Sequence, residues 1–176
     1  MRISRSMIKR RLSTIIIIVL AFIIWTTTFQ SLKLADVAPN IMLILVVCYA
    51  YMRGRTSGLL IGFFCGLLSD MMYGTVIGLY AFGLMTIGFL CGHSQKIYFT
   101  DNYILPCVLV GISDFAYSIY YYVTEFLVRG RLDFQFYFLT VILPEMIYTM
   151  LLAVVVFRLL NMLENYLMKK REEAQH

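Results

Sequence analysis

Charged residues are scarce in this 176-residue chain, at 14% against a hydrophobic share of 61%. Average soluble domains sit nearer a quarter charged and half apolar. A compact soluble fold of this length has too little interior to hide so much apolar surface, and the same composition excludes disorder. Histidine is rarer still: only His93 and His176 occur, and neither stands at ligand spacing from a cysteine. The four cysteines never pair as Cys-x-x-Cys, so the familiar metal sites have no basis here and no cofactor is implied. Hydrolase, zincin and intramembrane-protease signatures (Gly-x-Ser-Gly, His-Glu-x-x-His, Gly-x-Gly-Asp) are missing, as is a phosphate-cradling glycine loop. No catalytic residue is therefore nominated, and the expectation is a protein that is not an enzyme. Nor is any polar stretch long enough for a soluble domain.

What is present is apolar sequence. Thirteen Phe, thirteen Tyr and eleven Met accompany a mean hydropathy of +0.80. Six apolar blocks, Leu12 to Phe29, Val37 to Met52, Gly58 to Tyr73, Val76 to Gly92, Tyr103 to Leu127 and Phe134 to Leu160, are separated by brief polar breaks. Eighteen residues of helix cover about 27 Å, close to the hydrocarbon thickness of a bilayer. The expected fold is an all-α integral membrane protein of six transmembrane helices. A basic tail (1–11) precedes a single membrane domain (12–163), and a charged tail (164–176) follows it. The second to fourth blocks are short for full spans. The first block also resembles a signal peptide, but a cleavage near Ala38 would place Asp36 at the minus-three position, which favours an uncleaved helix.

The charges orient the chain. Lys and Arg total fifteen against ten acids, a net charge of +5. Arg2, Arg5, Lys9, Arg10 and Arg11 precede the first block, and Lys169, Lys170 and Arg171 follow the last. Flanking clusters of this kind address lipid headgroups rather than nucleic acid. With six spans and both termini cytoplasmic, twelve of the fifteen cations fall on the inner side, as the positive-inside rule requires.

Two patterns carry more specific information. Gly54, Gly58, Gly62 and Gly66 recur every four residues, and Asp70 and Gly74 continue the spacing. Such a stripe lets another helix approach backbone to backbone. Its occupant is either a helix of the same chain or a partner, and the same face suits a homodimer. Secondly, Asp114 and Glu145 lie about midway along the fifth and sixth blocks, with no Lys or Arg at matching depth. Acids there are costly and are usually protonated, bonded or functional. Hydroxyls close in sequence, Tyr117 near Asp114 and Tyr148 near Glu145, are the expected polar neighbours. A coupled carrier would use the two acids as relays. A structural protein would use them as interhelical hydrogen-bond glue, which the lack of a basic counterpart favours. Pro144 lacks an N–H, so it frees the carbonyl of Thr140 and bends the helix.

The run Pro39-Asn40-Ile41-Met42-Leu43-Ile44-Leu45, the turn Arg53-Gly54-Arg55 and the core Gly58-Leu59-Leu60-Ile61-Gly62-Phe63-Phe64-Cys65-Gly66-Leu67-Leu68-Ser69-Asp70 together resemble the rod shape-determining protein MreD family. The resemblance implies a non-catalytic scaffold in the bacterial inner membrane. It implies association with MreC and, through it, with the MreB filament and the RodA–transpeptidase pair that builds peptidoglycan. A partner's single helix seated on the glycine face would fit that role. The family is also similar in fold to the substrate-binding subunits of energy-coupling-factor vitamin transporters, which supplies an alternative. Those subunits carry an Ala-x-x-x-Ala patch on the first helix, whereas Ala21 is the only alanine between Leu12 and Phe29.

Overall fold

The computed structural model describes residues 14–29, 38–73, 78–97, 104–127 and 134–173. All regular structure among them is helical. Helix α1 (Thr14–Thr27) turns π-helical over Trp25–Phe29. Helices α2 (Ile41–Arg53), α3 (Arg55–Tyr73) and α4 (Leu79–Cys91) follow, and α4 runs into a 3₁₀ turn at Gly92–Ile97. Helix α5 (Ile104–Tyr121) ends in a π-helical turn at Tyr122–Leu127. Helix α6 (Phe134–Tyr137) passes through another π-turn, Phe138–Ile142, into the long α7 (Leu143–Glu173).

Helix α2 is the axis of the bundle. Every residue from Ile41 to Met52 is buried, so this helix has no polar face and no lipid face. A helix apolar all round belongs in an interior. At about 1.5 Å per residue, its thirteen residues reach only about 20 Å, short of a bilayer core. The bilayer does not set its length, because protein surrounds it. Asn40 caps its first turn, with Oδ1 accepting the Leu43 N–H at 3.2 Å.

The outer helices are two-sided. On α7, Thr149, Ala153, Phe157, Leu160 and Glu164 are buried, while Leu151, Val155, Leu159 and Met162 are exposed. On α5, Val110, Ser113, Asp114 and Tyr117 face inward, and Ile104, Val108 and Ile112 face outward. Helix α1 turns Thr14 and Ile18 to the core and Ile15, Ile16, Val19 and Leu20 away. Polar groups inside and large apolar groups outside invert the soluble pattern, as lipid solvent requires. Two stretches, Ile104–Thr124 and Phe138–Tyr166, are long and apolar enough to cross a membrane by themselves.

The expected boundary at 163 marks no structural change, since α7 continues to Glu173 and Glu164 is buried in the bundle. Residues 1–11, Gly74, Lys33, Arg129 and Arg131 lie outside the described residues.

Candidate functional site

Three polar or backbone-close features occur where lipid solvent should forbid irregularity: the glycine seam, a carboxylate cap, and the acids on α5 and α7.

The seam joins α3 to α4. A Cβ on Gly58 would collide with the Gly88 carbonyl, one on Gly62 with the Leu84 carbonyl, and one on Gly66 with Ala81. The contact is mutual, because a Cβ on Gly88 would meet the Gly58 carbonyl. Without side chains in the way the two backbones touch, and dispersion between them replaces the hydrophobic drive that lipid cannot supply. The stripe's occupant is thus α4 of the same chain. This corrects the idea of a partner's helix seated on Gly58, Gly62 and Gly66, since the backbone of α4 already fills that space. Gly54 belongs to the stripe by spacing alone. It stands between α2 and α3 with φ +88°, where glycine adopts the left-handed region at little cost. Its open side is taken by the Gln95 amide.

Asp70 has a different job from the glycines that precede it. Its Oδ1 accepts the Tyr80 N–H and its Oδ2 the Ala81 N–H, both at 2.9 Å. These are orphan donors of the first turn of α4. A carboxylate at a helix N-terminus also meets the positive end of the helix dipole. Asp70 is 2% exposed, so its charge is met by backbone donors rather than by water. The local cap position is held by Gly78 (φ +101°), which has no side chain to offer. The acid comes instead from α3, across the loop.

The acids on α5 and α7 are brought together. Asp114 is fully buried on the inward face of α5. Glu145 is half-buried one residue beyond Pro144, close enough for the two carboxyls to repel. The preceding π-turn is closed by the Leu143 N–H on the Phe138 carbonyl. The distortion expected at Pro144 therefore takes the form of a widened turn, a shape common beside functional groups. Tyr117 is buried and interacts electrostatically with Glu145, as does Tyr137. Tyr148 is half-buried on α7. Ser113 faces elsewhere, with Oγ and the Cys91 Sγ 3.0 Å apart. Thr149, fully buried, takes the Asn40 N–H at 3.3 Å and presents its hydroxyl to Asp114. Among the described residues neither oxygen of Asp114 has a hydrogen-bond partner.

One polar centre is unmarked by any motif. The Arg53 guanidinium donates from Nη2 to Glu164 Oε2 at 2.7 Å and from Nε to Oε1 at 3.3 Å. Its Nη1 reaches Thr14 Oγ1 on α1, and its Cζ lies 4.7 Å from the Tyr49 ring centroid. Three helices meet on this one side chain. In the sequence Arg53 is one of two cations in a polar break and Glu164 one of several charges beyond the last apolar block, so neither announces the other. The four cysteines are free thiols. Among the described residues no group of three or more His, Cys, Asp or Glu is placed to hold a metal.

The family model of the rod shape-determining protein MreD matches residues 6–169. The chain belongs to the MreD family. The match spans the whole bundle, including the seam, the Asp70 cap and both acids, so these features belong to the family domain and not to an appendage. No curated protein and no solved structure matches the chain. MreD-family membership gives the chain a role in rod shape determination, within a family of structural, shape-determining membrane proteins.

Proposed function

We propose that this chain is a non-enzymatic scaffold of the bacterial cell-elongation machinery, binding MreC and linking it to the MreB filament and the RodA–transpeptidase synthase. The observation that carries the reading is the family match across residues 6–169. The architecture supports it. The polar groups of the bundle are spent on joining its own helices, at Asp70, Arg53 and Glu164, while the outward faces of α1, α5 and α7 present apolar side chains. With the glycine seam occupied from within, those outward faces are where a partner's single helix would dock.

The chain crosses the inner membrane six times with both termini cytoplasmic. The distribution of Lys and Arg supports this orientation. The short α2 is compatible with it because protein shields its ends. Nothing in the fold or the comparisons favours the vitamin-transporter alternative.

Depletion in a rod-shaped host, followed by imaging, tests the proposal. Rounded and widened cells, together with co-purification of MreC with the tagged chain, are expected. Unchanged rods with a nutrient requirement would overturn it.

A further inference from the structure

Arg158 stands on the outward stripe of α7, exposed among the exposed side chains of Leu151, Val154, Val155, Leu159 and Met162. Arg53 is answered by Glu164 and Thr14, and the exposed Arg55 has its Cζ 5.7 Å from the Phe89 ring centroid. Among the described residues Arg158 makes no hydrogen bond or ion pair. A bare cation on a lipid face calls for an anion, and its depth decides which kind. At mid-bilayer only an acid on a partner's helix reaches it, whereas at the hydrocarbon edge a lipid phosphate does.

Two counts give the depth. The α5 span, Ile104–Thr124, has 21 residues, about 31 Å of helix, which matches the hydrocarbon thickness. Ile104 therefore marks one edge. Helix α5 starts at the end of the bundle where α7 finishes. Arg53 shares that end with Glu164 of α7, and Arg55 shares it with Gly92 of α4. Helix α5 then runs back along α4, Ser113 beside Cys91 and Tyr120 bonded to the Leu79 carbonyl. The two spans meet where the Cys107 Sγ donates to the Met150 carbonyl at 3.2 Å. From that level Ile104 is about 4.5 Å towards the edge along α5, and Arg158 about 12 Å along α7. Arg158 thus lies about 8 Å past the hydrocarbon, among headgroups. Counted from Phe138, where the α7 span begins, Arg158 comes after about 30 Å of helix and reaches the same boundary. A planar guanidinium at that level matches a phosphate with two parallel hydrogen bonds.

We propose that Arg158 binds the phosphate of an anionic phospholipid of the phosphatidylglycerol class, whose chains lie along Leu151, Val154 and Val155. The orientation proposed above assigns it to the cytoplasmic leaflet, but the contact itself does not depend on the scaffold role. Native mass spectrometry of the purified full chain, titrated in detergent with phosphatidylglycerol or phosphatidylcholine, provides the test. The first phosphatidylglycerol is expected to bind about fivefold tighter than the first phosphatidylcholine, the gain of one cation meeting a net anionic headgroup. Arg158→Gln should remove that preference, and Arg55→Gln should leave it in place. No preference in the unaltered chain, an unchanged preference in Arg158→Gln, or equal losses in the two variants would each overturn the proposal. So would the loss of a co-purifying protein from Arg158→Gln with the lipid preference intact, which would give the residue to a partner's acid. All of these readouts use the purified chain and leave the cell-shape phenotype to test the scaffold reading separately.

Discussion

Arg53 and Glu164 stand 111 positions apart in sequence and close a two-pronged ion pair at the same end of the bundle, α2 to α7. Their side chains are 11% and 10% exposed, so water screens the pair weakly. The fork geometry of a guanidinium on a carboxylate is the strong form of this interaction, and removing one partner leaves the other buried and unpaired. Arg53→Ala and Glu164→Ala should each lower stability by about 3–5 kcal/mol. Replacing both by apolar residues of similar volume should recover most of the loss. Thermal unfolding of the purified proteins in one detergent checks the order. A double change whose loss equals the sum of the two single losses would show that the pair does not act as a unit.

The seam makes a second prediction. Gly62→Ala places a Cβ against the Leu84 carbonyl, which is backbone and cannot swing aside. Overpacking of this kind costs about 1–3 kcal/mol, and Gly62→Leu should exceed it and part α3 from α4. Leu60→Ala, on an exposed position of the same helix, should be nearly silent. Comparing the melting temperatures of the three variants separates the close approach from a general intolerance of α3.

Asp70 should show a graded series. Asp70→Asn retains one acceptor oxygen for two donors, while Asp70→Ala retains none and strands the N–H groups of Tyr80 and Ala81. Each unsatisfied buried donor costs about 1–3 kcal/mol. The alanine variant should be clearly less stable than the asparagine variant, and amide exchange at the start of α4 should accelerate first. Similar stability in the two would mean that the carboxylate is not what holds that turn.

Burial of the thiols is directly measurable. Cys48 and Cys65 are free and fully buried at the bundle core, whereas Cys107 is only partly covered, its Sγ donating to the Met150 carbonyl at 3.2 Å. A membrane-permeant maleimide should modify Cys107 before the other two, with Cys48 labelled only after unfolding. Mass spectrometry of the labelled chain reads the sequence of events. Early labelling of Cys48 would contradict the central placement of α2.

Parts of this arrangement were legible in the residues alone. The helical blocks follow from apolar runs between Arg-Gly-Arg, Gly-Thr and similar breaks, because a backbone in lipid has few options but to bond within itself. The four-residue glycine spacing announced a close helix contact for the same local reason. It did not say with what: Gly88 and Gly92 repeat the four-residue spacing on the facing side, but Leu84 and Ala81 carry no such signature. Asp70 read as one more step of the stripe, yet its partners are backbone N–H groups, which no sequence pattern can mark. Short blocks looked like uncertain spans because length was compared with the bilayer. Helix α2 is instead matched to the proteinaceous interior that encloses it.

Composition and the order of apolar runs determined that this chain is helical and lives in lipid, since the transfer cost of polar backbone applies residue by residue. Which helix became the buried axis, which glycine faced which carbonyl, and which acid was answered by a base were decided only in the folded bundle. Those outcomes depend on groups as far apart as Arg53 and Glu164, and distance through space between such groups is set by packing, not by their separation along the chain.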